Sequence, residues 1–220
     1  MSSFWRRTDL KLIQLREERT AERQIGMTRK WSRREIVGNK GTISVFGSSR
    51  PKPGSGDYEQ AKAIGRLLAQ EGFAVATGGY TGTMVAVSRG AAEAGGHVIG
   101  VGSAQIERFR PGGLNQWVKE PVFYETLRER LYHLVVENDG MIVLPGGVGT
   151  LSELALAWSL LQVGEVDARP LVLMGAIWRE TMAAFIHSEF VPEAHAALLL
   201  HADTPHEAVE QIARWTAGTK

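Results

Sequence analysis

The sequence predicts an α/β protein in which helices cover both faces of a parallel β-sheet. From residue 41 onward, short apolar runs alternate with segments of helical periodicity, which is the pattern of repeated βαβ units. The strand segments are apolar at consecutive positions, as strands buried on both faces require. We therefore expect one domain over residues 41–220, preceded by an extension over residues 1–40.

The predicted strands share an apolar run bounded by glycine, proline or polar residues. They span residues 42–46, 73–77, 97–101, 121–124, 140–144 and 170–174. The predicted helices share apolar residues three and four positions apart, and several of them stop at glycine. They span residues 58–70, 84–94, 126–136, 150–163, 178–189 and 205–216. Residues 102–119 are predicted to be irregular.

Composition excludes several classes of protein. Apolar residues make up 44% of the chain and charged residues 22%, as in ordinary soluble proteins, and no apolar run reaches membrane-spanning length. The absence of cysteine excludes disulfides and thiolate chemistry. The six histidines show no ligand spacing, so no metal site is expected. Because no apolar signal core follows Arg6 and Arg7, we expect a cytoplasmic protein.

Charge is distributed unevenly along the chain. Residues 1–40 contain 11 Lys or Arg and 5 Asp or Glu, whereas residues 41–220 contain 14 and 19. This asymmetry predicts a basic, partly helical extension on a mildly acidic domain. We interpret the extension as solvated, because its basic pairs are short and no aromatic residues interleave a basic patch. Contact with RNA or with an acidic neighbouring subunit is the alternative.

The most informative motif is Pro145-Gly-Gly-Val-Gly-Thr-Leu-Ser-Glu153, which follows the predicted strand 140–144. Glycines here allow a ligand to approach backbone N–H groups, and the helix that follows adds its positive end. The motif therefore predicts a site for a phosphate-bearing ligand. The loop lacks the Lys of an ATPase loop, and Gly47-Ser-Ser-Arg50 does not match the dinucleotide fingerprint. Neither ATP hydrolysis nor NAD chemistry is favoured.

Two further glycine-rich turns, at residues 47–49 and 78–82, follow predicted strands. Because ligands bind beyond the carboxyl ends of parallel strands, we expect all three turns to meet at one site. Arg128 and Arg130 lie two residues apart on one predicted helix, so they point to different faces. One of them could grip a phosphate or carboxylate in bidentate fashion.

Glu153 has two interpretations. Thr150 and Glu153 match a capping box, with Thr150 at the N-cap and Glu153 bonded to the backbone. Alternatively, a carboxylate in the first helical turn is stabilised by the helix and ionised near neutrality. Such a carboxylate beside a phosphate site suits the positive charge that develops in an oxocarbenium ion. The local sequence leaves both interpretations open.

Together these segments resemble the LOG ("lonely guy") phosphoribohydrolases, long described as lysine decarboxylases. Residues 145–153 match the family motif PGGxGTxxE, and Arg130 stands where the family carries the Arg of its second motif. Residues 45–49, 78–84 and 96–100 are similar to further family segments. The chain departs from the pattern at Leu131, at Tyr80, Thr83 and Val85, and over residues 103–119, which help form the base pocket in relatives.

The resemblance implies a Rossmann-like fold and an enzyme, usually dimeric, that cleaves the N-glycosidic bond of nucleoside 5′-monophosphates. AMP and cytokinin ribotides are typical substrates, and no cofactor is implied. Arg130 and Glu153 would be the catalytic pair. The expected substrate-binding residues are Ser48, Gly79, Gly82, Gly146, Gly147, Val148, Gly149, Thr150 and Ser159.

The alternative function is that of a carrier of a nucleotide or of molybdenum cofactor that performs no turnover. Lysine decarboxylation is disfavoured, because no lysine lies in a recognisable pyridoxal-phosphate motif.

Overall fold

The sheet at the centre of the computed structural model has seven strands, each parallel to its neighbours. The structure describes residues 40–109 and 112–218. The extension predicted over residues 1–40 lies, apart from Lys40, outside them. The strands are β1 (Thr42–Phe46), β2 (Ala74–Thr77), β3 (Val98–Ser103), β4 (Glu120–Tyr124), β5 (Gly140–Val143), β6 (Leu171–Met174) and β7 (Leu199–Ala202).

Helices connect the strands and complete the Rossmann-like architecture that the sequence predicted. They are α1 (Gly56–Gln70), α2 (Thr83–Glu93), α3 (Ala104–Phe109), α4 (Leu127–Val136), α5 (Val148–Val163), α6 (Ala176–Phe185), α7 (Glu193–Ala196) and α8 (Pro205–Gly218). The α/β class and the parallel sheet are confirmed.

The strand order is β4-β3-β2-β1-β5-β6-β7. The chain builds outward from β1 to β4, then returns to the other side of β1 to begin β5. Ile43 pairs with Gly140 and Phe46 with Val143 across this junction. The strand order thus reverses between β1 and β5, and such switch points open a crevice beyond the carboxyl ends of the two strands.

Two apolar cores lie on opposite faces of the sheet, because successive side chains of a strand point to opposite sides. On β5 and β6, Ile142 and Val172 belong to the core beneath α1, α2 and α8. Their neighbours Met141 and Leu171 belong to the core beneath α4, α5 and α6. This arrangement explains the continuous apolar runs of the sequence, since each strand must satisfy both cores.

Helices α1 and α2 pack unusually closely because each presents a glycine at the contact. A Cβ added to Gly65 would lie 2.0 Å from the Val87 carbonyl oxygen. One added to Gly90 would lie 1.9 Å from the Lys62 carbonyl oxygen. The separation of the two helices is therefore fixed by the absence of these side chains.

Several elements differ from their prediction. Strand β7 and helix α7 were not predicted, and α3 lies within the segment predicted to be irregular. Strand β7 is an edge strand that pairs with β6 alone, and the polar His201 interrupts its apolar run. Helix α6 ends at Phe185 rather than at residue 189, because the backbone at Ile186 is already extended.

Within residues 40–109 and 112–218, no helix has both the length and the apolar character that a membrane span requires.

We predict that Gly90→Ala lowers the free energy of unfolding by about 2 kcal/mol, because a Cβ overpacks a backbone contact. Gly56→Ala is the matched control, since a Cβ at this helical position meets no atom within 4 Å. Urea titrations should show loss of stability in the first variant and none in the second. Equal unfolding midpoints for Gly90→Ala and wild type would contradict the close contact.

Candidate functional site

Three turns meet beyond the carboxyl ends of β1, β2 and β5. The Ser48 backbone N–H donates to the Pro145 carbonyl at 3.2 Å. The backbone N–H and hydroxyl of Thr83 donate to the Ser48 carbonyl at 2.8 and 2.9 Å. Through Ser48, the turn after β1 therefore holds the turn after β5 and the start of α2 in fixed positions around the switch point.

Helix α5 presents an open N-terminus to this crevice. Its N-cap is Gly147, which supplies no side-chain hydrogen bond. A Cβ at Gly147 or at Gly149 would meet no atom within 4 Å, and the Val148 side chain is 81% exposed. The first N–H groups of a helix have no partner within it and carry the positive end of its dipole. This end of α5 can therefore receive an anion.

Gly146 has a different function from its neighbours. A Cβ at Gly146 would lie 2.1 Å from Oγ1 of Thr150, whose side chain is buried. The residue is therefore a glycine because Thr150 packs directly against it. Of the three loop glycines, Gly146 allows the turn to close, and Gly147 and Gly149 leave the loop accessible from outside.

The capping-box interpretation of Glu153 is wrong. Helix α5 begins at Val148, two residues before the predicted start, because glycine rather than Thr150 forms the cap. Thr150 becomes the third residue of the helix and Glu153 the sixth. A carboxylate at that position is too far along the helix to reach back to the N-cap N–H.

Arg130 reaches the site from α4. This helix begins with a genuine capping box in which Thr126 and Glu129 bond each other's backbone N–H groups. The cap places Arg128 on the solvent side, where it is exposed, and turns Arg130 inward, where it is buried. The Arg130 Nε–H donates to the Val101 carbonyl at 2.8 Å.

Arg130 and Glu153 form a buried pair of opposite charge. Nη1 of Arg130 lies 3.7 Å from Oε1 of Glu153, and the two side chains are 6% and 10% exposed. Burial raises the pKa of Glu153 to about 7, although the nearby Arg130 charge acts to lower it. Full ionisation at neutral pH was expected from the helix dipole, but loss of water outweighs both favourable charges.

Gly78 makes room for the guanidinium group. A Cβ at Gly78 would lie 2.0 Å from Nη2 of Arg130 and 2.6 Å from the Met84 sulfur. The Arg130 guanidinium carbon also lies 5.9 Å from the centre of the Tyr80 ring. Neither Gly78 nor Tyr80 was predicted as a site residue. Their position next to Gly79, in the turn after β2, was the available signal.

Backbone geometry explains why residues 79 and 82 are glycines. Both have positive φ, at 74° and 69°, a region that other residues rarely enter. A Cβ at Gly82 would also lie 2.3 Å from the Ser48 carbonyl oxygen. These glycines shape the turn that faces the crevice, and their contact with a ligand stays a prediction.

The structure places the two predicted serines differently. Ser48 lies in the turn after β1, and its hydroxyl accepts from the Arg50 backbone N–H at 3.1 Å. Ser159 is exposed and lies six residues beyond Glu153, about 9 Å further along α5 and roughly 120° around it. Ser48 is thus at the crevice, whereas Ser159 is not brought to the Arg130–Glu153 pair.

Asn115 is a further residue that sequence reasoning missed. Its backbone N–H and its side-chain amide donate to the Gly79 carbonyl at 2.7 and 2.9 Å. A Cβ at Gly79 would lie 2.5 Å from the Leu114 side chain. Asn115 and Leu114 therefore fix the segment before β4 against the turn after β2, beside the crevice.

The site combines an open helix N-terminus, a buried carboxyl group of near-neutral pKa and a guanidinium group held by the Val101 carbonyl. A carboxyl group with a pKa near 7 can accept or release a proton at neutral pH. Among the described residues, no group of three or more His, Asp or Glu side chains is arranged to hold a metal ion.

Comparison with solved structures gives two informative neighbours. The molybdenum cofactor binding protein of Rippkaea orientalis has a TM-score of 0.62 and 25% identity, over 79% of this chain and 95% of its own. The molybdenum cofactor carrier protein of Chlamydomonas reinhardtii has a TM-score of 0.60 and 26% identity, over 80% and 98%.

Comparison with curated proteins gives relatives named for an enzyme. A rice protein (Oryza sativa subsp. japonica) named a probable cytokinin riboside 5′-monophosphate phosphoribohydrolase is 31% identical, over 77% of this chain and 69% of its own. The cytokinin riboside 5′-monophosphate phosphoribohydrolase of Mycobacterium tuberculosis is 31% identical, over 60% of this chain and 70% of its own.

A family model described as the SLOG cluster4 family matches residues 40–207. This chain belongs to that family, and its kinship with the LOG proteins is confirmed.

Proposed function

We propose that the protein hydrolyses the N-glycosidic bond of a purine nucleoside 5′-monophosphate, of the AMP or cytokinin-ribotide type. The observation that carries the proposal is the buried Arg130–Glu153 pair, held at 3.7 Å less than two turns from the open end of α5. This short separation supports the proposal, because one small ligand could reach both the helix end and the Glu153 carboxyl group. The names of the curated relatives support the same reaction.

In the proposed mechanism, the 5′-phosphate binds at the N-terminus of α5. Backbone N–H groups of residues 147–150, Thr150 included, would contact its oxygens, and the side chain of Ser48 would complete the phosphate and ribose site. Gly79 and Gly82 would border the ribose. Binding energy from the phosphate, which does not react, would orient the glycosidic bond towards Glu153.

The ionised Glu153 carboxylate would stabilise the oxocarbenium-like transition state and accept a proton from the attacking water. The C–N bond breaks as the water oxygen bonds to the anomeric carbon, and the departing base nitrogen takes up a proton from solvent. Free base and ribose 5-phosphate are released, and Glu153 returns the proton of the attacking water to solvent. Arg130 would hold the ligand and stabilise the negative charge of the departing base. The mechanism assigns no step to a metal or cofactor. The proposed setting is the cytoplasm.

A second candidate function is binding of a molybdenum-cofactor-type ligand without turnover. It is favoured by the two solved neighbours named for that cofactor. The anion site of α5 would serve this function equally, but a carrier does not need Glu153. A ligand recovered intact after prolonged incubation, identified by mass, would support the carrier. Release of free base from AMP would support the hydrolase.

We also propose a homodimer formed through the outer side of α5. This helix carries apolar residues on all sides, and the outward residues Leu151 and Val163 are 43% and 67% exposed. Burial of such a surface against a second copy is favourable, at about 25 cal/mol per Å² of apolar area.

Arg130→Gln should lower kcat by about two orders of magnitude or more, because the charge beside the reacting bond is lost. Arg128→Gln is the control, since Arg128 lies on the same helix but is exposed. Base release from AMP, followed by chromatography, measures both. Equal rates for the two variants would remove Arg130 from the mechanism, and a wild type inactive on a broad nucleotide panel would remove the hydrolase proposal.

Stability should depend on pH through Glu153. Burial raises its pKa from 4.5 to about 7, so folding favours the protonated form, and this contribution is fully present below pH 4.5. It is lost as the pH rises through 7. Relative to Glu153→Gln, the wild type should therefore lose on the order of 3 kcal/mol of unfolding free energy between pH 5 and pH 8. Denaturant titrations of both proteins test this, and parallel pH curves would contradict it.

Ala155→Arg, on the exposed side of α5, should convert the dimer to a monomer, because a charge cannot be buried there without a partner. Gln70→Arg, on the exposed side of α1, is the control for added charge. Sedimentation velocity distinguishes the two states. A wild type that sediments as a monomer at all concentrations would exclude the dimer.

A further inference from the structure

Tyr80 is a bulky residue in a turn otherwise built from small ones. It lies between Gly79 and Thr81, and only 5% of it is exposed. Tyr80 is one of the positions at which this chain departs from the LOG pattern, so the side chain is a feature of this chain rather than of the motif. Its ring centre lies 5.9 Å from the guanidinium carbon of Arg130, within the range of a cation–π contact.

The Tyr80 ring is held from several sides. Its hydroxyl accepts from the Ser103 backbone N–H at 3.0 Å and lies 3.5 Å from the Ser103 carbonyl, to which it donates. A Cβ at Gly102 would lie 3.1 Å from the Tyr80 hydroxyl oxygen, so the ring occupies space that a glycine leaves open. The Asn115 side-chain amide donates to the Tyr80 carbonyl at 3.4 Å. The ring is thus a fixed part of the site.

The distance between Arg130 and Glu153 depends on the groups that surround the guanidinium group. At 3.7 Å, the nearest nitrogen and oxygen are too far apart for a good hydrogen bond, so the pair does not fix its own spacing. The Nε–H bond to Val101 holds one edge of the guanidinium. Nη2 occupies the space that Gly78 leaves by having no Cβ. The face of the Tyr80 ring, 5.9 Å from the guanidinium carbon, adds a contact that acts on the plane of the guanidinium group.

We propose that Tyr80 is a positioning residue for Arg130, and that the face of its ring helps to hold the orientation of the guanidinium group. The ring attracts the guanidinium through its quadrupole and keeps Nη1 directed at Glu153. The catalytic consequence of this arrangement rests on the proposed hydrolase function. The placement of Arg130 by Tyr80 does not, because it is a property of the protein without ligand.

The position of Arg130 affects the pKa of Glu153. Glu153 is the only charged residue of α5, and the charged group that acts on it from α4 is Arg130. On the other side of Arg130, the turn after β2 contributes the Tyr80 ring. The Arg130 charge lowers the pKa of Glu153 against the effect of burial. If Arg130 leaves its position, the pKa of Glu153 must rise.

The decisive experiment weakens the ring quadrupole without changing the shape of the side chain. Tyr80→Phe is the reference, and mono-, di- and trifluorophenylalanine at position 80 form the series. In the ligand-free protein, ¹³C NMR of the Glu153 carboxyl group gives its pKa, and exchange of the Arg130 Nε–H reports the bond to Val101. With each added fluorine we expect a higher Glu153 pKa and faster exchange. If AMP is hydrolysed, kcat/KM should fall about tenfold across the series.

The same series at Tyr58, which is buried in the core on the other face of the sheet, controls for fluorination of a packed aromatic residue. Thermal unfolding verifies that every variant is folded. An unchanged Glu153 pKa and unchanged Nε–H exchange across the position-80 series would overturn the proposal. Because both readouts need no substrate, failure of the hydrolase function leaves this test intact. A shift that appears equally in the Tyr58 series would also overturn it.

Discussion

The reversal of strand order between β1 and β5 is the constraint on which the site depends. It leaves the carboxyl ends of two neighbouring strands without a crossover helix above them, so the turns that follow can meet there. Ser48 joins those turns through backbone hydrogen bonds. Helices α4 and α5, which lie on the same face of the sheet, then deliver Arg130 and Glu153 to the crevice. A different strand order would separate these side chains even if each helix formed correctly.

Burial of the pair has a cost that packing interactions offset. The Glu153 side chain, which is 10% exposed, loses most of its water, and one cation at 3.7 Å restores only part of that stabilisation. This cost raises the pKa of Glu153 and does not prevent folding. It also gives the carboxyl group a proton affinity suited to chemistry at neutral pH. The same loss of water therefore lowers the free energy of unfolding of the domain and gives Glu153 a pKa suited to proton transfer.

Much of this arrangement could be predicted from the sequence. Apolar runs buried on both faces indicated the parallel sheet, and the glycine turns marked its functional edge. The start of α5 could not be predicted, because Thr150 and Glu153 form a better capping sequence than Gly147 does. The correct cap depends on the packing of Thr150 against Gly146, which is tertiary. Tyr80 and Asn115 were missed for a similar reason, since their contacts join segments distant in the chain. Strand β7 was missed because the polar His201 interrupts the short apolar run of this edge strand.

The glycines of this site divide into two sets with different freedom to change. Gly78, Gly82 and Gly146 face occupied space, so any larger residue there must displace a neighbour. Gly147 and Gly149 face open space, and between them Val148 projects outward with 81% of its surface exposed. Substitution at the outward positions would alter the rim of the crevice without repacking the domain. The shape and charge of the rim can therefore change independently of the packing that holds the buried pair and the sheet beneath it.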